Sequence, residues 1–167
     1  FSWKALRDSL IELSNEPGCD FGKHIIPHVF NNGGRIFSYE YNGYWKDVGT
    51  LESYWEANMG LVDIIPEFNL YEEYWKIYTK GDIIMPQYIA STSVINKSII
   101  GEGVEIYGEV NNSVIGAGVV IEEGAVVNDS IIMKGSRIGA NSKVNKAIIA
   151  ENSIVGKDCE IGAFEFC

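Results

Sequence analysis

The sequence is short of the residues that mark several common protein classes. Its 167 residues include only four prolines and three cysteines, and 46% of them are hydrophobic. A chain this apolar and this poor in proline is not expected to be disordered. The cysteines, Cys19, Cys159 and Cys167, are odd in number and lack paired spacing. They therefore predict neither a disulfide framework nor a zinc site, and reduced thiols fit a cytosolic protein.

Positive charge and long hydrophobic runs are also scarce. The chain carries 13 Lys and Arg against 23 Asp and Glu, a formal net charge of −10, which repels a phosphate backbone and makes nucleic acid an unexpected partner. No apolar run is long enough to span a bilayer and no signal peptide is visible, so we expect a soluble cytoplasmic protein with no membrane partner. Because the first residue is Phe1 rather than Met, and residues 1–6 read as the middle of an element, we interpret the chain as a fragment of a longer polypeptide.

The first part of the chain shows helical patterns followed by a strand pattern. Amphipathic spacing predicts a helix over residues 2–13 and a second helical stretch near 20–31, which Pro27 should shorten or kink. After a glycine pair, residues 37–41 alternate aromatic and polar side chains, as a strand does.

One acid stands between the aromatic strand pattern and the next helix. Asp47 precedes a glycine turn, Thr50 is a suitable N-cap, and Glu52 lies in the first turn of the predicted helix, where the helix dipole favours an acid. An α/β enzyme can hold a metal ion at such a strand end. Considered without further context, an aspartate in a turn more often bonds nearby backbone N–H groups.

The pattern changes after a linker rich in aromatic and charged residues. From about residue 89, aliphatic residues return near every sixth position, which predicts a hexapeptide-repeat solenoid. Equivalent aliphatics recur in three columns, with a constant step of 17 residues within the last three members of each. A β-sandwich, the alternative, has no reason to keep that step. The coil between Val104 and Val127 is two residues short, and we expect Tyr107–Gly108 and Asn111–Asn112 to tighten its corners. The columns are Ile100, Ile115, Ile132, Ile149; Ile106, Ile121, Ile138, Val155; and Val110, Val127, Val144, Ile161.

Three segments together resemble the bacterial glucose-1-phosphate adenylyltransferases, and the resemblance is to their C-terminal portion. They are residues 20–27 (Asp-Phe-Gly-Lys-His-Ile-Ile-Pro), residues 43–59 around Asp47, and residues 108–115 in the solenoid. The resemblance implies the α+β end of an α/β nucleotidyltransferase domain over residues 1–65 and a linker over 66–88. A left-handed parallel β-helix is then expected over 89–167.

The resemblance also implies a reaction. In that family, glucose 1-phosphate attacks the α-phosphorus of ATP, which releases pyrophosphate and forms ADP-glucose for glycogen biosynthesis. Asp47 stands where the family has a metal-binding aspartate, so it is the expected catalytic and Mg²⁺-binding residue. Trp45 is a candidate for the wall near the sugar, although aromatic residues of this kind are more often core residues. The remaining active-site groups would precede Phe1, so this fragment alone is expected to be inactive.

For the β-helix the resemblance implies oligomerisation and allosteric regulation. The expected assembly is a homo- or hetero-tetramer that binds a sugar-phosphate-type effector. Two alternatives stay open: a non-catalytic subunit of the same assembly, and another sugar-1-phosphate nucleotidyltransferase. A hexapeptide-repeat acyltransferase is disfavoured, because residues 89–167 contain no histidine to act as a base. His24 and His28 lie four residues apart, as a metal pair on a helix would, but Pro27 disturbs that spacing.

Overall fold

A computed structural model describes residues 1–78, 81 and 84–162. The chain divides into two compact units, Phe1–Gly43 and Tyr44–Cys167. Within the described ranges, no helix has both the length and the apolar character needed to cross a bilayer.

The first unit contains the two helical regions that the sequence predicts. Helix α1 spans Trp3–Glu12. A single π-helical turn at Phe21–Ile25 leads directly into α2, which spans Ile26–Asn31. Pro27 lies in the first turn of α2, directly after the π-helical turn. The helical stretch therefore changes its hydrogen-bonding pattern at the proline, which has no N–H to donate to the preceding turn.

The strand predicted for residues 37–41 is absent, so that prediction was wrong. The segment has no regular structure, and its aromatic side chains are solvent-exposed, with Phe37 84% and Tyr39 88% accessible. A strand exists through hydrogen bonds to a neighbouring strand. None of the described residues of this unit forms such a neighbour, so the alternating pattern has nothing to pair with.

The second unit is dominated by a three-sided parallel β-helix of short strands, as predicted. Every pairing between its strands is parallel, and each coil contributes one strand to each side. Sheet A contains β1 (Tyr88–Ile89), β4 (Glu105–Ile106), β7 (Val120–Ile121), β10 (Arg137–Ile138) and β13 (Ile154–Val155). Sheet B contains β2 (Val94–Asn96), β5 (Glu109–Asn111), β8 (Val126–Asn128), β11 (Lys143–Asn145) and β14 (Glu160–Gly162). Sheet C contains β3 (Ile99–Ile100), β6 (Val114–Ile115), β9 (Ile131–Ile132) and β12 (Ile148–Ile149).

The register of the strands confirms the three aliphatic columns. Ile121 pairs with Ile138, Val127 with Val144, and Ile132 with Ile149, each 17 residues further along the chain. Eight of these residues are almost completely buried and share one hydrophobic core. They are Ile106, Ile115, Ile121, Ile132, Ile138, Val110, Val127 and Val144.

The shortened coil is confirmed, but only one of the two expected corners is tight. The strand starts of β4 and β5, Glu105 and Glu109, lie four residues apart, against six for Val120 and Val126 one coil later. A Cβ at Gly108 would collide with the Ala125 carbonyl oxygen, so the short corner lies against the next coil's backbone and requires glycine. The expectation of a second tight corner at 111–112 was wrong, since that corner has the same length in every coil.

Serine hydroxyls connect successive coils inside one corner. Ser113 Oγ donates to the Asn111 carbonyl at 2.6 Å and accepts the Ser130 N–H at 3.1 Å. Ser130 Oγ repeats both bonds with the Asn128 carbonyl and the Ala147 N–H. Both serines are fully buried, so these bonds satisfy backbone groups that water cannot reach.

One helix of the second unit packs on sheet C. Helix α3 spans Leu51–Met59 and continues as a 3₁₀ turn over Gly60–Val62. The outward residues of sheet C are all aliphatic, and Ile131, at its centre, is only 3% exposed. The outward face of sheet C is therefore covered at Ile131 and half-buried at Ile99, Val114 and Ile148, which accounts for its continuous aliphatic pairs.

Residues 44–65, which the sequence assigns to the first domain, lie in the same compact unit as the β-helix. The predicted domain boundaries, at 1–65, 66–88 and 89–167, describe family domains and not compact units. These boundaries stay predictions.

Candidate functional site

Asp47 lies in an extended segment that leads into α3. Its Oδ1 accepts the Gly49 N–H at 3.1 Å, which closes a small turn within the chain. The side chain is solvent-exposed. The turn bond that an isolated aspartate was expected to make is therefore present, and it leaves the carboxylate accessible.

A well-formed helix cap fixes the position of this turn. Thr50 Oγ1 accepts the Ser53 N–H at 3.1 Å, and Ser53 Oγ accepts the Thr50 N–H at the same distance. This reciprocal pair is a capping box, and it confirms Thr50 as the N-cap. Glu52 lies in the first turn, where its charge is favourable. Asp47 thus precedes a rigid helix end by three residues.

Lys46 is tied to the same helix by an ion pair. Its Nζ lies 2.7 Å from Glu56 Oε2, and this hydrogen bond raises the pKa of Lys46. Tyr44 stacks on Phe68 with ring centroids 5.2 Å apart. These side chains line a small cavity of about 120 Å³ beside α3. The segment on either side of Trp45 is therefore held at two points.

Trp45 is 76% exposed and is not a core residue of the described structure. It stands two residues before Asp47, and both side chains are accessible to solvent. The structure thus places the two candidate residues on one short accessible segment. The role of each in binding stays a prediction.

The described residues contain no group of three His, Cys, Asp or Glu side chains that could hold a metal ion by themselves. Asp47 can contribute one carboxylate. Mg²⁺ in nucleotide-dependent enzymes is commonly held by one or two carboxylates, with substrate phosphates and water completing its coordination. The accessible Asp47 fits one position in such a set.

The two histidines of the first unit have different partners. His24 Nδ1 accepts the Asp20 N–H at 2.9 Å, whereas His28 Nε2 lies 2.8 Å from Glu12 Oε2. His28 also bonds the Asn32 side chain at 3.1 Å. The two rings therefore have separate partners, and the described contacts do not join them as a metal pair.

Trp55 attaches α3 to the β-helix. Its Nε1 donates to the Asp129 carbonyl oxygen at 2.7 Å, and the Lys146 ammonium lies 5.5 Å from its ring centroid. Lys97 Nζ pairs with Asp63 at 2.8 Å just beyond the 3₁₀ turn. Helix α3 thus contacts two coil corners through Trp55, and the residue that follows its 3₁₀ turn contacts a third.

The sequence analysis missed this attachment, although the sequence contains a signal for it. At every coil, the residue before the inward aliphatic of sheet C is aliphatic too. These residues are Ile99, Val114, Ile131 and Ile148. The matching positions of the other sheets include Glu105, Arg137, Glu109 and Lys143. A side on which both alternating faces are aliphatic is buried on both faces.

Comparison with known proteins places two families along the chain. Residues 2–63 match the family model described as nucleotidyl transferase, and residues 84–165 match that described as GlmU-like, C-terminal hexapeptide. The chain is 72% identical over 123 residues to a protein of Lachnospira eligens named glucose-1-phosphate adenylyltransferase, a match covering 74% of this chain and 29% of that protein.

Two further relatives bear the same name. The protein of Pseudothermotoga lettingae is 51% identical over 129 residues, which is 76% of this chain and 31% of the relative. That of Acetivibrio thermocellus is 46% identical over 129 residues, or 76% and 30%. The chain thus spans about 30% of the length of the curated relatives it matches.

Proposed function

We propose, from its homology to the C-terminal part of the glucose-1-phosphate adenylyltransferases, that this chain belongs to an enzyme that makes ADP-glucose. The reaction joins ATP and glucose 1-phosphate and releases pyrophosphate, and it would serve glycogen biosynthesis in the cytoplasm. The 72% identity to a relative of that name carries the proposal, and the order of the two matched families agrees with it.

In this proposal Asp47 is a Mg²⁺ ligand. Bound Mg²⁺ would neutralise negative charge on the phosphates as the new bond to the α-phosphorus forms. Asp47 supports the role with an accessible carboxylate whose position is set by its bond to Gly49 and by the capped helix after Thr50. A ligand held this way needs little reorganisation when the metal arrives.

Trp45 is proposed to form part of the wall near the glucosyl group. Its large exposed ring can pack on the apolar face of a sugar, and the Lys46–Glu56 ion pair next to it restrains the backbone. Binding of the nucleotide and of the sugar phosphate requires further groups. We place these in the roughly 70% of the relatives' length that the chain does not span, and we therefore expect the chain alone to be inactive.

The test is an assay of the full-length protein that contains this chain. Pyrophosphate release is measured with glucose 1-phosphate and each of the four nucleoside triphosphates, and we expect ATP to be preferred. Turnover with another nucleotide instead of ATP would indicate a different sugar-1-phosphate nucleotidyltransferase. An absence of turnover with all four would favour a non-catalytic subunit.

The role of Asp47 is tested by Asp47→Asn in the same protein. Asparagine keeps an oxygen that can accept the Gly49 N–H, so the melting temperature should stay nearly unchanged, whereas turnover should fall by at least about a hundredfold because the metal ligand is lost. Asp20→Asn is the matched control, since Asp20 also accepts a backbone N–H, from Lys23 at 2.8 Å. Activity retained by Asp47→Asn would overturn the metal role.

For the β-helix we propose assembly and regulation, in a homo- or hetero-tetramer that binds a sugar-phosphate-type effector. The hexapeptide-family match supports this, and so do the flat parallel sheets of the described coils, which offer a regular surface for a second copy. Sedimentation of this chain at micromolar concentration should give a dimer or larger species. A strict monomer would count against assembly through this part.

A further inference from the structure

The chain contains two Asn-Gly pairs, Asn32–Gly33 and Asn42–Gly43. In such a pair the backbone nitrogen of the glycine can attack the side-chain carbonyl carbon of the asparagine, because glycine has no Cβ to obstruct the approach and its backbone is permissive. The reaction requires that the nitrogen be free of other bonds and that the backbone be able to rotate. The two pairs have the same chemistry but different surroundings.

The pair Asn32–Gly33 is held by the end of α2. The Asn32 N–H donates to the His28 carbonyl at 3.1 Å, and the Gly33 N–H, the nitrogen that would attack, donates to the Phe30 carbonyl at 3.1 Å. The Asn32 side-chain amide also bonds the His28 ring at 3.1 Å. Both reacting groups are therefore engaged, and ring closure would require the helix end to open first.

The pair Asn42–Gly43 has none of these restraints. Both residues are exposed and lie outside helices and strands. Across the described part of the chain, no hydrogen bond of the Gly43 N–H or of the Asn42 amide is found. The nearest neighbour of the Gly43 Cα on its open side is the exposed Tyr41 ring, a side chain that can move aside.

We infer that Asn42 is a site of spontaneous, structure-selected deamidation. The Gly43 nitrogen loses its proton to solvent base and forms a bond to Asn42 Cγ, the Cγ–Nδ2 bond breaks, and ammonia leaves. Water then opens the resulting five-membered imide at either carbonyl, giving an aspartyl or an isoaspartyl residue at position 42. No oxidant, reductant or enzyme is needed.

The change falls at a sensitive place in the chain. Residue 42 is the second-last residue of the first compact unit, two residues before Tyr44 begins the second. Either product adds one negative charge, and the isoaspartyl product also inserts a methylene into the main chain at residue 42. The modified chain would present the isoaspartyl group that repair carboxyl methyltransferases recognise.

The experiment follows both asparagines in one sample. The 167-residue chain is incubated at mildly alkaline pH and sampled over days, and trypsin then places the two sites in separate peptides, residues 24–35 and 36–46. Mass spectrometry measures the replacement of the amide by a carboxyl in each. In the folded chain we expect Asn42 to react faster than Asn32 by about tenfold or more, because only Asn32 requires local opening.

The same incubation in concentrated urea is the matched control. With the fold removed, two identical dipeptides should react at nearly equal rates. Equal rates in the folded chain, or a persistent difference in urea, would overturn the inference that the structure selects Asn42. Asn42→Gln should abolish the signal in peptide 36–46, since glutamine must close a larger ring, and Asn32→Gln should leave that signal unchanged.

Discussion

Glu122 joins two successive coils of the β-helix through both of its carboxylate oxygens. Oε1 accepts the Arg137 Nε–H at 2.7 Å and lies 2.6 Å from Arg137 Nη2. Oε2 accepts the Ala140 N–H at 2.9 Å. The hydrogen bond from Arg137, and after it that from the Ala140 backbone, lower the pKa of Glu122 below its ordinary value of 4.5.

This arrangement predicts a pH-dependent contribution to stability. The pKa of Glu122 is lower in the folded state than in the unfolded chain. The ionised carboxylate therefore stabilises the fold at any pH above the pKa of the unfolded chain, and this stabilisation is lost as the pH falls through the pKa of the folded state. Glu122→Gln should therefore melt below the wild type at pH 7, and the gap should close as the pH drops below about 4.5. Thermal denaturation across pH measures both curves.

Glu151→Gln is the control for this prediction. Glu151 is an exposed glutamate of the same β-helix, and no ion pair of its side chain is found among the described residues. Its replacement should shift the melting curve little at any pH. A gap between Glu122→Gln and the wild type that stays constant with pH would contradict the role of the charge.

At the scale of elements, α3 connects the candidate site to the β-helix. Its first turn carries the capping box that follows Asp47, and its middle carries Trp55, which bonds the Asp129 carbonyl. Asp129 occupies a corner in the left-handed backbone region, with φ +47°. The helix that follows Asp47 is therefore bonded to the β-helix at a defined corner.

Trp55→Phe should weaken the attachment of α3 to the β-helix without leaving a large cavity. The ring and most of its packing remain, but the hydrogen bond to Asp129 is lost and a partly buried carbonyl is left unpaired, at a cost of about 1 kcal/mol. Urea denaturation followed by circular dichroism measures the change. Trp75→Phe is the control, because Trp75 is 86% exposed and its replacement should change stability by less than about 0.5 kcal/mol. Equal effects of the two substitutions would show that the bond does not stabilise the unit.

The sequence predicted those elements whose signal is local, because they need no partner from a distant part of the chain. The inward aliphatics repeat with the coil and Thr50 caps its own helix, so both could be found without a partner. The strand at 37–41 could not be judged in this way, because a strand requires a neighbour. The bond from Trp55 to Asp129 joins residues 74 positions apart, and only the aliphatic outward face of sheet C hinted at it.

The candidate site was predictable to a similar degree. The sequence located Asp47 between an aromatic strand and a glycine turn that opens a helix. The structure has the turn and the helix but not the strand. The ion pair between Lys46 and Glu56 was not predicted. The partner of Lys46, Glu56, lies ten residues further along the chain, in the second turn of α3. The orientation of α3 to the preceding segment is set by packing, which no local pattern encodes.

At the scale of the whole molecule, the β-helix behaves as a one-dimensional stack. Each coil pairs only with the coils before and after it, so no coil can bury its aliphatic residues alone and stability depends on the interfaces between neighbours. The central coils contain the most deeply buried residues, whereas Ile149 and Val155 in the last complete coil retain 8% and 7% exposure. A defect at the centre therefore breaks two interfaces at once.

Ile132→Lys tests this cooperativity directly. Ile132 is fully buried in sheet C and pairs with Ile115 on one side and Ile149 on the other. A charge there has no partner and costs several kcal/mol, which is comparable to the total stability of a small domain. We expect the entire β-helix to unfold, and with it the surface on which α3 packs, so that circular dichroism loses the β signal and Trp55 fluorescence shifts to the red.

Ile154→Lys places the same charge on a neighbouring coil, at a residue that points outward and is 80% exposed, and it should change stability by less than about 0.5 kcal/mol. If Ile132→Lys kept the β signal and lost only local protection from hydrogen exchange, the coils would be independent units and the cooperative stack would be wrong.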